Sequence, residues 1–112
     1  MLKQLLTYRL KHRVTIQEVV QLADGAGGFS TSWSDVDMVW AEIVPFASRS
    51  TTQERLVADQ LDVQQRYRIT IRYRSGVDAG MRVKYGSRLF NILSVVNVQE
   101  RGEALEIFCL EE

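Results

Sequence analysis

Proline, cysteine and histidine each occur once in these 112 residues, and no net charge is left over: 14 lysines and arginines stand against 14 aspartates and glutamates. The single Cys109 cannot form an internal bridge, and with one histidine it cannot supply the three or four ligands of a zinc site. A disulfide-framed scaffold and a metal centre are therefore not expected. No run approaches the roughly 18 uninterrupted apolar residues of a membrane span. Lys3, Arg9, Lys11 and Arg13 interrupt the N-terminus too often for a signal-peptide core. The expectation is a chain without membrane contact that stays in the reducing cytoplasm where it is made.

What is present is ordinary for a globular domain, with 46% hydrophobic and 25% charged residues, and residues 1–112 read as a single domain. The charges fall in blocks. Met1 to Arg13 holds four bases and no acid. Ser34 to Asp62 sets Asp35, Asp37, Glu42, Glu54, Asp59 and Asp62 against Arg49 and Arg55. Arg66 to Arg88 holds seven bases against Asp78 alone, and Glu100 to Glu112 five acids against Arg101. Such segregation implies one basic and one acidic face, able to attract other copies head to side. The plainer reading is charge on the solvent faces of strands.

Period-two alternation dominates the chain. Val14 to Leu22 reads as a half-buried strand ending at the glycines of Asp24–Gly28, where positive φ lets the chain reverse. The return strand runs from Phe29 to Phe46, with Trp33, Val36, Met38, Trp40 and Val44 as its apolar bulk and Pro45 at its end. Residues 47–65 break the pattern and read as a long loop or short helix. Arg66 to Arg74 is a strand with Tyr67, Ile69, Ile71 and Tyr73 on one face and the arginines on the other. Further strands are predicted at Met81–Tyr85, Arg88–Gln99 and Ala104–Leu110, the last burying Leu105, Ile107 and Cys109. The fold class is mainly β: a small six-stranded antiparallel barrel or sandwich. Residues 1–11 read either as an arm that orders on a partner or as a frayed terminus.

No catalytic set emerges. His12 has no partner in the sequence, Cys109 on an alternating strand reads as a small core hydrophobe, and the glycines at 25–28 lead into a strand rather than a phosphate-cradling helix. The chain is read as no enzyme, with no cofactor and no metal. One constellation suits binding: Arg66, Arg68, Arg72 and Arg74 on one strand could track a phosphate backbone, as in barrels of the OB type. Against it, the tyrosines alternate away from the arginines, and acid equals base.

In order along the chain stand RVTIQ (Arg13–Gln17), Gly27-Gly28, Trp33, VWAEIVP (Val39–Pro45), YRITIRYRSG (Tyr67–Gly76), Arg82, YGSRLFNI (Tyr85–Ile92), Arg101, Leu105 and Cys109. This ordered set resembles the head–tail joining proteins of tailed bacteriophages, also called head–tail adaptor or head-completion proteins. It departs from that pattern at Ala47–Ser50. The resemblance implies a β-barrel assembling as a ring, a dodecamer by family likeness, beneath the portal in the neck of a phage, prophage or gene transfer agent. It implies a portal or adaptor protein on the head side, a tail-completion or terminator protein on the tail side, and double-stranded DNA passing non-specifically through the lumen. By the same likeness Arg49, Ser50, Thr51, Thr52 and Gln53 are candidates for a lumen or gating loop. Arg66, Arg68, Arg72 and Arg74, with Glu103 and Glu106, are candidates for a subunit or portal interface. Two other readings stay open: a tail-terminator or tail-completion ring, and an OB-like nucleic-acid-binding module.

Overall fold

The alternating segments form strands because each has one apolar face to bury. The computed structural model describes residues 8–46 and 65–112. Its strands are β1 (His12–Ala23), β2 (Phe29–Pro45), β3 (Arg66–Arg72), β4 (Arg82–Tyr85), β5 (Arg88–Asn97) and β6 (Ala104–Glu111), with a 3-10 turn over Val98–Glu100. They join antiparallel in the order β1-β2-β3-β6-β5-β4, and β4 returns to β1, so the sheet is a closed barrel. Closure removes the open edges that a flat sheet of this size would present.

The inward residues fill the barrel. Val14 and Ile16 of β1, Ile69 and Ile71 of β3, Val83 of β4, Phe90 of β5 and Ile107 of β6 are fully buried. Tyr67 and Phe90 meet edge to face at 5.2 Å, a favoured aromatic geometry. Cys109 lies in the same core, its thiol 3.5 Å from the Tyr67 carbonyl oxygen. The Gly86-Ser87 turn joins β4 to β5 with Gly86 at φ 61°, the positive value that a two-residue hairpin needs at its first central position.

Three expectations change. Strand β3 stops at Arg72, so Tyr73 is not a core residue; it is 47% exposed. Strand β5 stops at Asn97, where Gln99 and Glu100 take positive φ and turn the chain. In β2 the expected apolar bulk divides: Val36 packs on the core, as do Val39 and Ile43 beside the buried Ala41, while Met38 and Trp40 are about half exposed. The cause is register. Ile16 lies opposite Asp37 but Gln17 opposite Asp35, so Val36 is an extra residue in β2, and a one-residue slip exchanges the two faces.

Beyond that bulge the hairpin leaves the barrel. Strand β4 accompanies β1 only from Thr15 to Gln17, and β3 meets β2 only from Ala41 to Pro45. Among the described residues the two strands pair only with each other from Glu18 to Ser34, and most of their side chains are exposed. The barrel thus carries a projecting two-stranded ribbon.

Core packing sets the stability. Ile107 is fully buried among Ile69, Ile71 and Phe90. Ile107→Ala is expected to cost about 2–5 kcal/mol in denaturant unfolding, whereas Tyr73→Ala should cost about 1 kcal/mol or less.

Candidate functional site

The basic strand sits on the outside of the barrel. Arg66 and Arg72 are exposed on β3, Arg68 is half-buried between them, and Arg74 lies past the strand's end. The neighbouring strand is β6, with Arg68 opposite Phe108 and Thr70 opposite Glu106, so Arg68 and Glu106 share the outer face as diagonal neighbours. On the other side Thr70 lies opposite Glu42 of β2. The basic and acidic blocks of the sequence are therefore already adjacent within one copy.

The chain just before β1 crosses this face. Arg9 forks onto Glu42, its Nε donating at 3.0 Å and its Nη2 at 2.6 Å, a bidentate geometry that suits guanidinium and carboxylate. The hydrogen bond from Arg9 holds the Glu42 carboxyl below its usual range, and the same bond raises Arg9. Leu10 is buried on Ala104 with Val98 beside it. This half of residues 1–11 is held on the barrel; residues 1–7 lie outside the described part of the chain.

Each end of the barrel has a polar clamp. At the end where β6 finishes, Arg88 forks onto Glu111 at 2.7 and 3.2 Å, with its guanidinium over the rings of Tyr67 and Phe90. That hydrogen bond lowers Glu111 and raises Arg88. At the ribbon end, Arg74 pairs with Asp37 at 3.0 Å. Nearby, Arg82 donates to Gln17 Oε1 at 2.7 Å, the Gln17 amide donates to Asp35 at 2.7 Å, and Trp33 stacks on Arg82 at 4.1 Å. Side chains of three strands, β1, β2 and β4, meet in this chain of contacts, which pins the root of the ribbon. His12, which has no partner in the sequence, finds one in space: its Nδ1 lies 2.9 Å from the Tyr85 hydroxyl.

Some of the expected site residues come together and others do not. Arg66, Arg68 and Glu106 share one outer surface. Arg74 is engaged with Asp37, and Glu103 is half-buried in the turn leading into β6, where its carbonyl oxygen accepts the Tyr73 N–H. Arg49, Ser50, Thr51, Thr52 and Gln53 lie outside the described residues. Burial pushes the Cys109 thiol up to about 12, so it stays protonated and unreactive. Among the described residues no three His, Cys, Asp or Glu side chains converge as a metal would require, and no helix is long and apolar enough to cross a membrane. The Gln17–Asp35–Arg82–Trp33 cluster was not foreseen from the sequence, because its members lie up to 65 positions apart.

Comparison with known proteins gives a consistent result. The family described as phage head completion protein matches residues 5–112. The solution structure of protein SF1141 from Shigella flexneri 2a is similar, with a TM-score of 0.66 and 27% identity over 92% of this chain and 93% of that one. A chain from the virion of a native gene transfer agent particle is similar to the same degree, with a TM-score of 0.65 and 27% identity over 93% of this chain and 96% of that one. No curated protein matches significantly.

The carboxylates clamped by arginine set an acid limit. Folded Glu42 and Glu111 titrate below the ordinary value of 4.5. Their contribution is therefore fully present above that value and lost as pH falls through the lower, folded-state values. Denaturant unfolding between about pH 6 and pH 3 is expected to show stability falling with acid, and Glu42→Gln to flatten that fall.

Proposed function

The chain belongs to the phage head completion protein family, and from that premise we propose that it is a structural protein of the virion neck, joining the filled head to the tail of a phage or phage-like particle. The observation that carries this reading is the family match over residues 5–112, joined to the likeness with a chain of a gene transfer agent virion. The physical chemistry agrees with a joining part. Among the described residues the surface of the barrel carries ion pairs and a stacked arginine. Net charge of zero with both signs displayed suits contact with further proteins better than tight binding to nucleic acid.

In its finer form the proposal is a closed ring of copies below the portal, with a portal or adaptor protein on the head side and a tail-completion protein on the tail side. Double-stranded DNA passes through the lumen without sequence recognition. Arg49, Ser50, Thr51, Thr52 and Gln53 are the proposed lumen segment, and Arg66, Arg68 and Glu106 part of the proposed contact with a neighbour. A heterologous contact repeated around an axis closes into a ring when its rotation divides the circle.

Electron microscopy of particles made without this gene tests the reading. Filled or leaking heads accumulating beside separate, finished tails are the expected result. Intact tailed particles would overturn it, and heads bearing overlong or unfinished tails would move the protein to the tail end.

A further inference from the structure

The ribbon is a physical anomaly as it stands. A two-stranded hairpin with free edges is marginal in water, yet this one holds Val19, Leu22 and Phe29 in solvent, Phe29 with 71% of its surface exposed. Its tip is well made. The Asp24 N–H donates to the Gly28 carbonyl oxygen at 3.1 Å, and the Asp24 carboxylate accepts the N–H groups of Ala26 and Gly28 at 2.8 and 3.1 Å. Ala23 pairs with Phe29, so the tip presents a phenyl ring beside a carboxylate.

Its charge is one-sided. From Val14 to Phe46 the chain has five acids and no base. Asp37 and Glu42 are neutralised within the copy by Arg74 and Arg9, while Glu18 and Asp24 make no ion pair among the described residues.

At the far end of β2 is a surface of matching character. Phe46, Leu93 and Phe108 line a groove walled by Arg66, Ser94 and Tyr67. Phe46 meets Phe108 edge to face at 5.3 Å, and Leu93 stands out where the β5–β6 register breaks between Ile92 and Ser94. Arg66 is exposed at the rim and makes no ion pair among the described residues. Apolar lining with a guanidinium at its edge is the complement of a phenyl ring with a carboxylate at its side.

The two cannot meet within one copy. Phe29 opens β2 and Phe46 follows its end, so a strand of 17 residues separates them, at most about 55 Å if fully extended. We propose that the Phe29–Asp24 tip of one copy seats in the Phe46–Leu93–Phe108 groove of a second copy, with Asp24 facing that copy's Arg66. The contact is head to tail, buries the Phe29 ring that the ribbon exposes, and gives the tip a second support. It rests on the neck-ring reading and names the contact that would build the ring.

Cysteine cross-linking of the full-length chain tests it, in purified oligomer and in assembled particles. With Phe29→Cys and Leu93→Cys in one chain, oxidation is expected to give a ladder of covalent multimers, and Leu93→Cys alone none. Cys109 is buried at the floor of the same groove, so both cysteine variants are made in a Cys109→Ala background. Arg66→Glu is expected to weaken oligomer formation about tenfold, and Asp24→Asn in that background to restore part of it by removing the like charge. Arg66 is exposed, and asparagine at 24 keeps an Oδ1 that accepts the Ala26 and Gly28 N–H groups, so thermal unfolding of the monomer should change little. Wild-type rings with no ladder, and no response to Arg66→Glu, would overturn the contact and leave the ring standing. A chain that is monomeric in solution and present singly in particles would overturn both.

Discussion

The structure turns on how little of β4 there is. Barrel closure depends on three residue pairs, Thr15 with Lys84, Ile16 with Val83 and Gln17 with Arg82. Gly80 and Gly86, both at positive φ, turn the chain on either side and keep β4 to Arg82–Tyr85. A strand of four residues cannot accompany a strand of twelve. The rest of β1, with its partner β2, must therefore leave the barrel, and the Val36 bulge is where the sheet adjusts to that departure. Closure and ribbon are two consequences of one length mismatch.

The same junction is where the polar chemistry gathers. Gln17 is buried at the last closing pair, and burial obliges its amide to find partners. It does so on both sides, accepting from Arg82 and donating to Asp35, while Trp33 covers the guanidinium. Removing a member would strand the others, which is how a satisfied network fixes a geometry that apolar contacts leave loose. In this way the ribbon leaves the barrel in a defined direction.

Charge neutrality takes on a different meaning in the fold. The blocks along the chain suggested opposed faces, but antiparallel pairing of β3 with β6 brings a basic and an acidic strand side by side. Three ion pairs are also made elsewhere within the copy, Arg9–Glu42, Arg74–Asp37 and Arg88–Glu111. Arg66 at one end of the barrel and Glu18 and Asp24 of the ribbon at the other take no part in them. For a protein that joins large parts, a few residual charges with exposed apolar groups select a partner without closing on themselves.

The number of strands, their antiparallel sense and most of the inward residues were written in the chain's own pattern. Those properties rest on alternation, turn residues and residue supply, which are local. Tyr67, Ile69, Ile71, Leu105, Ile107 and Cys109 were legible as core because each lies on a regular strand whose apolar residues repeat every second position. The ordered motifs also carried the family. Tertiary structure alone decided which face of β2 is buried, since one bulge reverses that choice, and where Tyr73 and His12 lie, since strand ends and cross-barrel partners are set by distant segments. It alone brought Gln17, Asp35, Arg82 and Trp33 together, because register between strands far apart in the chain is fixed by closing the barrel and not by any local preference.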